Sequence, residues 1–366
     1  MKQSHPIVLP HYKLVTDGEL FEHIKHYLGE AIFDVLYGSL ADLDKSAGEI
    51  ITTLMNLPSL AKVFGLEQGG DVSSTTGVTA PLRYLATKGK TFEIDPDLNF
   101  LLEQTDIGNK APGSIFQLPF NSLYIHMPKS TIPITDSDDP NKSLPLSGIY
   151  VNEVFQDDFE IRCRTVMGET GPCRGFEFVF VSEGTPENAL DSNFMHSRFI
   201  IPDAWSDDSI ESIVSRQMDT FDELGLRGDK NAYVEFKRSM LELISHLVKC
   251  LLFINSQDAI LKEEPAHSDI EARLLRVKPA KKAKIKQQLK RAYDKIHVSH
   301  HTVEDDQTPY DPDNSSHSMR SHWRRGHFRQ QAYGKGRIDR KMLWIRPMLI
   351  HGGLKEESAK TYTVTN

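Results

Sequence analysis

Gly148-Ile149-Tyr150-Val151-Asn152-Glu153-Val154-Phe155 and Gly175-Phe176-Glu177-Phe178-Val179-Phe180-Val181 decide the fold class of this chain. β-Branched and aromatic residues fill both stretches, and polar residues recur at a spacing near two, as in strands rather than helices. Phe159 to Val166 lies between them with the same character, and Gly168-Glu169-Thr170-Gly171-Pro172 supplies a turn into the last stretch. Together they predict an antiparallel meander with one face packed and the other wet.

On the N-terminal side, Ser122-Leu123-Tyr124-Ile125-His126-Met127 is a short strand bounded by Leu118-Pro119-Phe120 and Pro128, and Asp136 to Pro140 is a loop. Asp95 to Glu103 predicts a short helix with Pro96 in its first turn. Gly69 to Gly77 reads as a mobile surface loop, and no Gly-Lys-Ser/Thr follows to make it a phosphate-binding P-loop. Further back, Thr16-Asp17-Gly18-Glu19 has capping-box spacing, with Val15 and Leu20 placed as its staple. Phe21, Ile24, Leu28, Ile32 and Val35 then recur at helical spacing, and Glu49–Leu54 and Leu60–Phe64 predict two shorter helices.

On the C-terminal side, acids at Asp207 and Asp208 open a helix whose stripe is Ile210, Ile213, Val214 and Met218. Asn231 to Ile260 is the longest helix candidate, with Phe236, Met240, Leu243, Leu247, Leu251 and Ile254 on its core face. Lys278 to Lys295 reads as a lysine-rich helix with a thin seam of Ile285, Leu289 and Tyr293. Lys281, Lys282, Lys284 and Lys286 point around it, which suits either a solvated face or contact with a polyanion. Glu304 to Ser316 is an acidic, proline-containing break. The class is therefore α+β, with N-terminal helices, a central antiparallel meander, a long core helix and a basic C-terminal strand segment. The ranges are 1–115 for a helical N-terminal region, 116–270 for the sheet with long helices, 271–353 for the basic segment that completes the fold, and 354–366 for a tail.

Charge is unevenly distributed. From Arg273 to Ile350 there are 19 Lys/Arg against 7 Asp/Glu, a balance of +12; since the 366-residue chain carries −8, the rest carries −20. A basic arm on an acidic body suggests a polyanion partner. The alternative is that the two halves neutralise each other inside one globule. Met1 to Pro10 lacks a secretion-type apolar stretch, and the oily run Leu247–Ile254 is short and contains Lys249, so no membrane association and a cytoplasmic setting are expected. Cys163, Cys173 and Cys250 have no metal spacing and read as free thiols, with a Cys163–Cys173 bridge as the alternative.

The basic arm concentrates in His317-Ser318-Met319-Arg320-Ser321-His322-Trp323-Arg324-Arg325-Gly326-His327-Phe328-Arg329-Gln330-Gln331-Ala332-Tyr333-Gly334-Lys335-Gly336-Arg337. Cations, rings and amides are interleaved with almost no aliphatics, a composition suited to phosphates and flat rings. His317, His322 and His327 are five residues apart, which alternates faces in a strand and turns about 140° in a helix, so a metal site would need ligands from elsewhere, such as His126 or His297. If Arg320 to Gln331 is one extended strand, His322, Arg324, Gly326, Phe328 and Gln330 share one face, while Trp323, Arg325, His327, Arg329 and Gln331 share the other. Lys341 to Arg346 returns as a strand that Pro347 confines to an edge or end.

The pattern His322-Trp323-Arg324-Arg325-Gly326-His327 through Tyr333-Gly334 to Trp344-Ile345-Arg346-Pro347 resembles a family of uncharacterised proteins carried by phages, plasmids and other mobile elements. Leu118-Pro119-Phe120 through Tyr124-Ile125 is similar to that family's middle region, so the resemblance spans the last two-thirds of the chain. It implies a mobile-element setting of antiviral defence, counter-defence, toxicity or nucleic-acid maintenance, and no particular activity.

The leading functional expectation is a DNA- or RNA-binding protein. Its contacts are Arg320, Trp323, Arg324, Arg325, Phe328, Arg329, Gln331, Tyr333, Lys335 and Arg337, with arginines clamping phosphates and Trp323 and Phe328 stacking on bases or supporting the clamp. The second expectation is an enzyme on nucleic acid or a nucleotide, with His322 and His327 as acid and base and Arg324 steadying developing charge, as in a metal-independent ribonuclease. An ADP-ribosyltransferase-like toxin would further need a carboxylate such as Glu153 or Glu177. The third is an interaction scaffold whose basic region docks on its own acidic body or on an acidic protein partner. The residues point to no particular cofactor.

Overall fold

A computed structural model describes residues 25–26, 29–45, 50, 76–107, 111–135, 143–154, 168–182, 194–223, 230–264, 266–289, 294–300 and 322–350. In chain order, α1 (Glu30–Leu40) and α2 (Thr76–Ala86) precede β1 (Lys90–Ile94), α3 (Pro96–Glu103) and the two-residue β2 (Thr105–Asp106). The meander follows as β3 (Ser122–His126), β4 (Pro133–Thr135), β5 (Ser143–Val154), β6 (Cys173–Ser182) and β7 (Phe194–Pro202). Next come α4 (Ile210–Glu223), the long α5 (Lys230–Ile254), β8 (Ala259–Glu264), α6 (Ala266–Arg276), α7 (Pro279–Leu289) and β9 (Lys295–His300). The arm ends the described chain as β10 (His322–Arg324), β11 (Gly326–Tyr333), β12 (Asp339–Ile345) and β13 (Met348–Ile350).

The architecture is mixed α+β. The principal sheet runs β7-β6-β5-β3-β1-β9-β8, with β4 on β5. Its β3-β5-β6-β7 half is antiparallel, as expected of the meander, but β1 pairs in parallel with both β3 and β9. β5 pairs directly with β6 as well as with β3; the expected strand Phe159–Val166 lies outside the described residues, as does Cys163.

The expectation of one wet face is overturned. On one face Phe92, Leu123, Ile125, Ile149, Val151, Phe176, Phe178 and Phe180 join α3, α4 and α5 in the main core. On the other, Tyr124, Tyr150, Val179 and Val181 are capped by Ala80 and Tyr84 of α2. Tyr84 meets Tyr150 and Tyr124 edge-on at 5.8 and 6.3 Å between ring centres, and burying such rings is a large share of what holds this face. Alternation survives as two apolar sets, one per face, rather than as apolar against polar. α2 also carries the buried Arg83, which donates to the carbonyls of Asp42 and Lys45 at 3.0 and 2.6 Å and faces Glu177 at 3.5 Å. The guanidinium thereby ties α2 to the segment after α1.

Other expectations hold with shifted ends. Asp95 caps α3 by accepting from the Asp97 and Leu98 amides, and Ile210, Ile213, Val214 and Met218 are buried along α4. The long helix stops at Ile254 rather than Ile260, and Ile260 sits in β8. The lysine helix stops at Leu289, and Lys295 begins a strand. In α1 the buried residues are Phe33, Leu36 and Leu40, whereas Val35 is exposed. Gly29, at φ +77°, lies just before α1, and Phe21, Ile24 and Leu28 of the expected stripe lie outside the described residues. Thr76 and Gly77, expected in a loop, open α2, while 69–75 lie outside the described residues.

Candidate nucleic-acid interface

The arm is held from below by two aromatic residues. β11 and β12 form an antiparallel hairpin in which Phe328 is opposite Trp344. Both are buried and belong to the main core. Trp344 meets Phe253 of α5 edge-on at 4.9 Å, and its indole N–H donates to Thr105 Oγ1 at 3.2 Å. Thr105 in turn donates to the Leu101 carbonyl at 2.7 Å, and its strand β2 pairs in parallel with Gly326 and His327. A Cβ on Gly326 would lie 2.6 Å from both Pro347 Cδ and Thr105 Oγ1, so the glycine of the Arg-Arg-Gly-His run permits this close docking.

Arg320 lies outside the described residues. His322 and Trp323 lie on β10, which pairs with β13. The expected single strand Arg320–Gln331 is broken at Arg325, so the two-face assignment across the whole run fails: β10 and β11 belong to different small sheets. Each half keeps its own alternation, which leaves His327 and Arg329 on one face of β11. His322 and His327 sit in separate sheets. Phe328 is only 7% exposed, so of its two expected roles the supporting one fits and base stacking does not.

Above this base the hairpin is cationic, and Arg324 at the end of β10 and Arg325 between β10 and β11 add to it. Arg324, Arg325, Arg329, Lys335, Arg337 and Arg340 are exposed, while His327, Gln331, Lys341 and Arg346 are half-buried. None of these arginines and lysines forms an ion pair with any described residue. The tip is shaped by Gly334 at φ +77° and Arg337 at φ +55°, and Arg340 Nη1 donates to the Arg337 carbonyl at 2.7 Å. Tyr333 is 46% exposed and its ring lies under the Lys341 ammonium at 5.7 Å, so one ring and one cation form a single contact surface.

A second polar cluster lies among α3 and α5, near β2, and sequence reasoning did not single it out. His246 is fully buried, with Nε2 bonded to Asn99 Oδ1 at 3.1 Å. Asn99 Nδ2 donates to Glu103 Oε1 at 3.2 Å, and that carboxylate also accepts from Ser130 and Thr131. Lys249 donates to the Glu103 carbonyl at 3.4 Å. Burial holds His246 well below the ordinary histidine value, with Lys249 adding to the effect. Burial lowers Lys249 as well, against the pull of Glu103 and Asp106, and pushes the Cys250 thiol up to about 12. The available signal was the three- and four-residue spacing of His246, Lys249 and Cys250 inside an otherwise oily helix.

The residues named for other chemistries lie elsewhere. Glu153 pairs with Arg174 at 2.8 Å within the central sheet, and Glu177 faces Arg198 of the same sheet and Arg83 of α2. His126 is buried against the Ser147 carbonyl, and His297 stands between Glu93 and Glu264 on the β1-β9-β8 side. Among the described residues no helix is long and apolar enough to cross a membrane.

A family model described as AcrVA2-like, anti-CRISPR type V subtype A2 family, matches residues 92–352. The match runs from β1 through β13, well over half of the chain, and leaves out α1 and α2. No curated protein and no solved structure matches.

Proposed function

The chain belongs to the anti-CRISPR type V subtype A2 family, a family of phages and mobile elements, and from that membership we propose that it acts in counter-defence by binding nucleic acid through the β11–β12 hairpin. A CRISPR effector complex contains both protein and RNA, so a polyanion is part of the target such a protein meets. The observation that carries the reading is that Arg329, Lys335 and Arg337 of the hairpin, with Arg324 and Arg325 just before it, are exposed and pair with no carboxylate among the described residues. Phosphates are the natural counter-charge, and their contacts position a nucleic acid without reading its sequence. Tyr333 adds an exposed ring for stacking beside the Lys341 ammonium.

Two measurements test this. Filter binding of the protein to RNA and to duplex DNA should weaken as salt rises, with log K falling by roughly 0.9 per phosphate contacted for each unit of log salt on a duplex. Phage plated on a host with an active type V CRISPR system should recover when wild type is expressed and fail to recover with Arg324→Ala/Arg329→Ala. Full recovery with the double variant would remove the hairpin from the mechanism while leaving counter-defence intact.

A further inference from the structure

The α6–α7 hairpin is a second cationic element that the hairpin reading does not use. Between residues 266 and 289 there are seven Lys/Arg and two Asp/Glu. Arg273, Arg276 and Lys278 around the turn, and Lys281, Lys282, Lys284 and Lys286 along α7, are all exposed. None forms an ion pair with a described residue, whereas one of the two acids, Glu271, is taken by Lys88 at 3.3 Å. Only Ile285 of α7 is deeply buried among its described side chains. Lysines that are unpaired among the described residues surround this one side chain, so the charge of the hairpin calls for an explanation other than packing.

Its placement supplies one. β8 and β9 are antiparallel neighbours with Glu264 opposite Lys295, and α6–α7 connects them at that end. Trp344, at the base of the β11–β12 hairpin, lies 6.2 Å from the His300 ring at the other end of β9. The two cationic elements therefore spring from opposite ends of one strand, about 17 Å apart at 3.3 Å per residue. Each also exposes a large aliphatic at its turn: Leu275 is 83% exposed beside the α6–α7 turn, and Ile338 is 81% exposed at the tip of the β-hairpin. Cations around a protruding aliphatic match a nucleic-acid backbone, where phosphates alternate with sugar and base surface.

We infer that α6–α7 is a second phosphate-contacting surface, and that one nucleic acid engages it together with the β11–β12 hairpin. This rests on the proposed nucleic-acid binding. It adds a length requirement, because a duplex advances ~3.4 Å per base pair, so about five base pairs are needed to bridge the two bases. Joining two weak contacts on one ligand raises affinity well beyond either alone.

The test uses the full-length protein, 4- and 20-base-pair duplexes, and the variant Lys281→Gln/Lys282→Gln/Lys284→Gln/Lys286→Gln. Wild type should bind the long duplex at least tenfold more tightly than the short one after correction for the number of sites. The lysine variant should lose that advantage, and its salt slope on the long duplex should shrink by one or more. If the variant binds and responds to salt as wild type does, while Arg324→Ala/Arg329→Ala weakens binding, the second surface is refuted and the first stands. If wild type binds neither duplex nor a matched RNA, both fail together. Unchanged thermal melting of the lysine variant shows that lost affinity is not lost folding.

Discussion

Phe328 and Trp344 face each other across the β11–β12 register and anchor a charged hairpin to the core. Rings bury the base while the guanidinium groups stay in solvent, so stability and the proposed binding fall to different residues of one element. Trp344→Ala should destabilise the protein by about 3–5 kcal/mol through the cavity it leaves against Phe253. Trp344→Phe keeps most of the packing but leaves Thr105 Oγ1 without its indole donor, and should cost roughly 1–2 kcal/mol. Urea unfolding of both variants checks the order; equal losses would mean that the hydrogen bond carries the anchor.

Arg324→Ala and Arg329→Ala should each change unfolding stability by less than about 0.5 kcal/mol, since both are exposed and unpaired among the described residues. Ending the chain at Asp313 removes β10 to β13 and uncovers Phe253 and Thr105, so that truncation should lower the melting temperature markedly or abolish cooperative unfolding. Thermal melts of the three proteins side by side check the separation. An arginine variant melting many degrees lower would place that residue in an internal network.

The fold was legible wherever one principle dominated. Asp95 with Pro96 marked the start of α3, and Ile210, Ile213, Val214 and Met218 marked the core face of α4, because local capping and period leave few alternatives there. α2 was not legible. Gly77 and the internal Pro81 argue against a helix, yet Ala80 and Tyr84 are held in place by the tyrosine face of the sheet, so tertiary burial overrides local propensity. The parallel insertion of β1 between β3 and β9 joins segments some 200 residues apart, which no local window contains. At the site the cations were visible from composition alone. The break at Arg325 was not, because it follows from the docking of Gly326 against Thr105 and Pro347.

Gly334→Ala should destabilise by roughly 1–3 kcal/mol. At φ +77° and ψ −179° the backbone occupies a region that side chains strongly disfavour, and a Cβ there would lie 2.6 Å from Asp339 Oδ2. The loss belongs to the hairpin turn, so hydrogen exchange should quicken first at the tip, around 333–339. Uniform quickening across the sheet would contradict a local effect.

The buried histidine sets a pH dependence. Its Nε2–H donates to Asn99 Oδ1, whose amide is oriented by donating to Glu103 and to the Pro128 carbonyl, so Nδ1 carries the lone pair. Nδ1 has no hydrogen-bond partner among the described residues, and a proton there would bury a charge beside Lys249. The folded-state pKa is depressed below the ordinary 6.5 of the unfolded chain. Above pH 6.5 both states are neutral and this group leaves stability unchanged. As pH falls below that value the unfolded chain takes up a proton that the folded chain refuses. Stability therefore drops, by up to about 1.4 kcal/mol per pH unit, until the folded-state pKa is reached. His246→Gln can still donate to Asn99 but cannot titrate, so it should be less stable than wild type near pH 7.5 and lose less stability on going to pH 5.5. Urea midpoints of both proteins at the two pH values decide the matter; parallel losses would assign the acid sensitivity to other groups.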